Sequence, residues 1–242
     1  MLFDSFADEE DNAAYMPKLE ETKPWSLNFQ LKQEKQVLGF YWSGHPLNKH
    51  KKILDLLVNS KAKYAEEETR KLPNQIYIAG VVAGITKKTD KNGNPFAILT
   101  MEDLTGKFEA AVFNSSYEKF APKIQENAEL FIVGTRSTYN NGSDNFLRLL
   151  PKHIFTFDEL PNNLSGTISI FLDSNKLSSD FGRKIKELFQ DNQGNFKIFF
   201  KIKSQKFKNL KLHPNNLKIF PNEKIIDFIN QNSIKKPVVK ID

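Results

Sequence analysis

Lys87, Lys88 and Lys91 surround Asn92-Gly93 in a segment that reads as a tight turn between two strands. Lysines so placed neutralise phosphates, while the glycine lets the backbone turn close beside a strand. A second polar turn, Tyr139-Asn140-Asn141-Gly142-Ser143-Asp144, is flanked by Arg136 and opens with Tyr139. A guanidinium pairs with phosphate and a phenol ring stacks on a base. Phe96 and Phe108 stand on the intervening strands and offer further rings, either for stacking or for the core.

Other chemistries fare worse. Paired magnesium ions need gathered carboxylates, but no Asp-x-Asp pair occurs, and Glu102-Asp103 reads as a turn cap. His45, His50, His153 and His213 lack metal-ligand spacing, and without cysteine no thiolate shell or disulfide framework is possible. Neither a metal nor another cofactor is expected. The turn Ser43-Gly44-His45-Pro46 invites a catalytic reading because of its histidine, yet glycine and proline make a packed structural turn the better one. Trp25, Tyr41 and Trp42 read as packing groups of the same region.

The elements that must position these residues follow from periodicity. The 242-residue chain is 39% hydrophobic, enough for one or two modest cores. Residues 1–24 carry a run of acids with little periodicity and read as a disordered tether. In residues 25–73, Ser26 caps a helix carrying Leu27, Leu31, Leu38 and Tyr41 that ends near Gly39, and a short helix follows over 48–58. Strands are expected over 75–87, 95–101 and 107–113, then a helix over 115–127, then strands over 129–138 and 146–157. Three strands, a helix and two strands is the order of an OB-fold barrel, here over 74–160, although five-strand barrels of other types share it. Residues 161–242 read as a small α+β domain: a strand over 167–172, a helix over 178–190, a strand over 196–203, partners at 206–212 and 217–220, and a last helix capped by Asn222.

Charge is uneven. Residues 1–21 hold seven acids against Lys18, leaving 34 basic and 22 acidic residues in the rest. Residues 75–157 are nearly neutral, nine basic against eight acidic, so phosphate binding there rests on local lysines. Lys197, Lys201, Lys203, Lys206, Lys208 and Lys211 form a denser stripe, suited to DNA, to an acidic partner or to protecting a strand edge. No apolar run reaches the length of a membrane span and no targeting segment is evident, so a cytoplasmic protein is expected.

The run Glu34-Lys35-Gln36-Val37-Leu38-Gly39-Phe40-Tyr41-Trp42-Ser43-Gly44-His45-Pro46-Leu47 resembles the segment that follows the fingers region in the bacterial replicative DNA polymerase III alpha subunit. In the same register, Ala79 to Ile85 and Leu99 to Gly106 resemble that family's first barrel strand and second turn, and Val112-Phe113 with Tyr117 to Phe120 its third strand and barrel helix. The resemblance implies a C-terminal portion of a DNA-directed DNA polymerase (a nucleotidyltransferase) whose OB fold binds single-stranded template. It implies replisome partners: the clamp-loader tau subunit at the last domain, and the sliding clamp through a peptide whose ending Leu2-Phe3 match. The family's palm aspartates lie far upstream, so this chain is expected to be inactive alone. Two other readings stay open, a tRNA-binding barrel of an aminoacyl-tRNA synthetase and a structural interaction module.

Overall fold

A computed structural model describes residues 23–63, 72–137, 147–204, 210–214 and 217–242, which form two compact units dividing at Ser43. The first is organised by helix α1, Leu27–Leu38. Ser26 Oγ accepts from Phe29 N at 3.4 Å at its start. At its end Gly39, at φ +80°, donates its N–H to Lys35 O at 3.1 Å, a left-handed cap that a side chain would strain.

The chain then folds back onto α1. The Glu34 carboxylate accepts the Ser43 hydroxyl and the Ser43 and Trp42 amides, both amides at 2.8 Å, with Gln30 Nε2 at 3.0 Å. These bonds favour the charged form, Ser43 most of all, and hold the Glu34 pKa down at about 2. Two tryptophans depart from the expected packing role. Trp42 is 76% exposed, and Trp25, 61% exposed, meets the edge of the Phe29 ring.

In the second unit His45 is a cap: its Nδ1 accepts from Leu47 N at 3.2 Å and starts a 3₁₀ turn, Pro46–His50, leading into α2, Lys51–Leu57. The barrel follows as β1 (Ile76–Thr89), β2 (Pro95–Glu102), β3 (Lys107–Phe113), α3 (Asn114–Phe120), β4 (Glu129–Arg136) and β5 (Arg148–Thr156). Strand order is β1-β2-β3-β5-β4, closed by a parallel β3–β5 seam. Inside, Ile78, Leu99, Met101, Phe108, Leu130 and Ile132 pack in one cluster. Phe108 lies so close over Gly80 that a Cβ there would fall 2.9 Å from the ring.

Beyond the barrel come α4 (Leu160–Asn163), β6 (Ser165–Asp173), α5 (Phe181–Gln190), β7 (Gln193–Lys203), β8 (Leu210–Leu212), β9 (Lys218–Ile219), α6 (Glu223–Asn232) and β10 (Val238–Ile241). The sheet runs β10-β6-β7-β8, with β9 also on β7. β6 and β7 are parallel, joined across α5, whereas β10 returns antiparallel to β6. Asn222 caps α6 as its sequence position suggests, accepting from Ile225 N at 3.1 Å.

Barrel and sheet share a hydrophobic cluster. Ile76, Ile78 and Val82 of β1 face the barrel interior, while Tyr77, Ala79 and Val81 face outward into a cluster with Phe131, Val133, Leu57, Ile168, Phe196 and Ile229. β1 is thereby buried on both sides. Tyr77 Oη donates to Ile241 O at 3.0 Å and accepts from Ile241 N at 3.3 Å. Glu129 at the start of β4 accepts from Lys49 at 2.8 Å and pairs with His50 at 2.9 Å, while the His50 ring stacks on Phe157 at 3.7 Å. Burial opposes ionisation of Glu129, but the His50 and Lys49 hydrogen bonds outweigh it and its pKa lies below the usual value.

Candidate nucleic-acid interface

Strand register decides which side chains meet. Residues directly opposite in a ladder project to one side, and successive residues to opposite sides. Lys88 stands opposite Phe96 and Lys87 opposite Ala97. Ala97 is fully buried in the barrel, so Lys88 and Phe96 lie on the outer face and Lys87 leaves from the other. Phe96 in turn stands opposite Phe113, their rings stacked at 4.9 Å and 26° with Phe113 43% exposed. The outer face continues through Ile98 opposite Ala111 and Thr100 opposite Glu109.

Lys91 sits exposed in a turn that Asp90 organises. One Asp90 oxygen accepts Asn92 N and Asn94 N, each at 2.8 Å, and the other accepts Asn94 Nδ2 at 3.1 Å. The Asn94 side chain and then its amide lead in holding the Asp90 pKa below its ordinary value. Gly93 takes φ +83°, the left-handed position the turn requires. The lysines are therefore presented by an ordered hairpin.

Arg136 ends β4, exposed, opposite Leu149 at the start of β5. Tyr139, Leu2 and Phe3 lie outside the described residues. Phe108 is corrected: fully buried inside the barrel, its ring has no face to offer a base. The reason is parity, since Phe108 and Phe113 have opposite parity in β3 and only one can point out. Phe113 was missed, although alternation with Lys107 and Glu109 would have placed it outward. Also missed was Arg148, whose Nε donates to Glu109 Oε2 at 2.8 Å across the β3–β5 seam, beside the outer face.

Among the described residues no group of three His, Asp or Glu side chains is arranged to hold a metal. Asp103 caps its turn, accepting from Thr105 N at 2.6 Å, Gly106 N at 3.0 Å and Ala62 N at 2.8 Å. A cleft of about 810 Å³ lies among α2, this turn and residues 233–237, but its lining includes none of Lys88, Phe96 and Phe113.

Residues 76–156 match the family described as OB-fold nucleic acid binding domain, and residues 168–235 match the DNA polymerase III alpha subunit, C-terminal domain. The chain is thus similar to the C-terminal region of the DNA polymerase III alpha family, whose curated members match most of its length. The DNA polymerase III subunit alpha of Aquifex aeolicus is 27% identical over 208 residues, covering 85% of this chain and 17% of its own length. That of Borreliella burgdorferi is 29% identical over 222 residues, covering 89% and 19%. The chain thus spans less than a fifth of these polymerase III alpha relatives. Among solved structures, the mitochondrial single-stranded DNA binding protein Rim1 of S. cerevisiae aligns over 34% of this chain and 92% of its own with 18% identity and a TM-score of 0.29, too slight a likeness to carry an argument. No helix among the described residues is long and apolar enough to cross a membrane.

Proposed function

We propose that this polymerase III alpha C-terminal region holds single-stranded template DNA across the outer face of β2 and β3. Lys88 and Lys91 neutralise phosphates and Phe96 and Phe113 stack a base, while Arg136, which leaves β4 on the side of the inward Leu149, meets phosphate at the rim of the barrel rather than on this face. The carrying observation is that the β1–β4 flank of the barrel is packed into the shared cluster, while on the outer face Phe113 stands exposed, with Phe96 between it and Lys88. Lys87 serves phosphate from the opposite side of the hairpin. The chain acts by binding; nucleotidyl transfer and the magnesium carboxylates belong to the parent polymerase.

The expected partners are the rest of the replisome, with the clamp-loader tau subunit at residues 161–242 and the sliding clamp at Leu2-Phe3. The match of residues 168–235 to the polymerase C-terminal domain supports the first.

The test is titration of a labelled oligothymidylate at several salt concentrations. Phe113→Ala is expected to weaken binding by about 1–3 kcal/mol, the worth of one stacked base. Lys88→Ala should reduce the slope of log K against log salt by about 0.7. Unchanged affinity and slope in both variants would reject the face, and stronger binding of structured tRNA than of oligothymidylate would favour a tRNA-reading barrel.

A further inference from the structure

β7 alternates strictly. Phe196, Ile198 and Phe200 are buried, so Lys197, Phe199, Lys201 and Lys203 project from the opposite side of the sheet. The parallel register sets Phe171 of β6 beside Lys201 on that side, with Thr167 and Ser169 beside Lys197 and Phe199. Asp173, beside Lys203, is the acid that this register adds.

Edge protection does not account for these lysines. β7 is an interior strand, flanked by β6 on one side and by β8 and β9 on the other. Lys201 moreover stands directly opposite Lys211 of β8. Like charges directly opposite in a ladder destabilise it, and lysines two residues apart add repulsion at roughly 6.6 Å spacing. The sheet carries this repulsion on a face where mixed charge would serve solubility equally well.

The face also carries aromatic rings. His213 stacks on Phe199 with ring centroids 4.6 Å apart and 18° between planes, its Nδ1 donating to Ile198 O at 2.8 Å. His213 is exposed, so the pair presents a flat platform to solvent. Lys201 and Lys235 lie over the Phe171 ring, Nζ to centroid 5.1 and 3.8 Å, which holds both ammonium groups near the sheet.

We infer that this open face of the C-terminal sheet is a second single-stranded nucleic-acid surface, with Lys197, Lys201, Lys203 and Lys211 taking phosphates and the Phe199–His213 platform stacking a base. An acidic peptide would satisfy the lysines but gives the stacked platform no role. The surface is independent of the barrel face.

The test uses the full chain carrying Lys88→Glu and Phe113→Ala, so that oligothymidylate binding to the barrel is impaired. Adding Lys201→Ala and Lys211→Ala is expected to weaken the remaining binding about tenfold at low salt and to lower the salt slope by about 1.4, two phosphates at about 0.7 each. Adding Phe199→Leu instead should weaken it roughly tenfold, with little change in slope. Thermal unfolding guards against a folding artefact: Lys201→Ala with Lys211→Ala removes a like-charge pair and is expected to leave Tm unchanged or raised. Should Tm fall, Lys197→Ala with Lys203→Ala carries the same binding test. Unchanged affinity and slope in the lysine variants would overturn the inference. So would competition by polyglutamate equal to that by oligothymidylate together with no effect of Phe199→Leu, which would mark an acidic-partner surface.

Discussion

Phe108 and Phe113 share a strand and differ in everything that matters to function, because alternation sends one into the barrel and the other out. Phe108→Ala is therefore expected to cost about 3–5 kcal/mol of stability in denaturant unfolding. Phe113→Ala, on the outer face, should cost far less in the same experiment while weakening DNA binding. Glu34 gives a second test at this scale. Its pKa of about 2 lies below the ordinary 4.5, so the turn's stabilisation is complete above about pH 4.5 and is lost as pH falls toward 2. The Trp42 and Ser43 amide signals should titrate together with a midpoint near 2; a midpoint in the ordinary carboxylate range would contradict the hydrogen-bond geometry. Residue types alone made the loop lysines and the turn-capping aspartate legible. They did not reveal that Lys87 and Lys88 leave from opposite sides, because that depends on pairing partners chosen across the ladder.

At the scale of elements, the helix start at Ser26, the helix end at Gly39 and the alternation of β2 and β3 were readable, since capping and pleating act within a few residues. Burial of β1 on both sides shows as an apolar run without telling what covers it. Alternation looks the same in parallel and antiparallel strands, so the parallel pairing of β6 with β7 left no local sign. β10 was missed because Val238 to Ile241 follows Pro237 and is too short to show a period. Close approach is equally silent in the sequence: Gly80→Ala would press a methyl group against Phe108 and is expected to destabilise by about 1–3 kcal/mol in thermal or denaturant unfolding.

At the scale of the molecule, the cluster joining barrel and C-terminal sheet means that residues 44–242 should unfold cooperatively. Calorimetry is expected to show one transition for that unit; two separated transitions would mean the shared cluster adds little. Glu129→Ala, which strips Lys49 and His50 of their half-buried partner, should lower its stability by about 1–3 kcal/mol. None of this was visible in a sequence that reads as successive domains, because the cluster forms from residues far apart in the chain, as the Tyr77 to Ile241 hydrogen bonds do.

The barrel's closure carries a kinetic consequence. β3 and β5 meet through Glu109 with Arg148 and Ala110 with Leu149, while the neighbouring β2–β3 ladder runs from Phe96–Phe113 to Glu102–Lys107. With so short a register the seam is expected to open before the rest of the barrel, and hydrogen exchange should find its amides faster than those of β1. An ion pair reinforces it, so added salt would quicken that opening at the same time as it loosens a bound strand. Ligand release and barrel breathing would then respond together to ionic strength, two motions answering one variable.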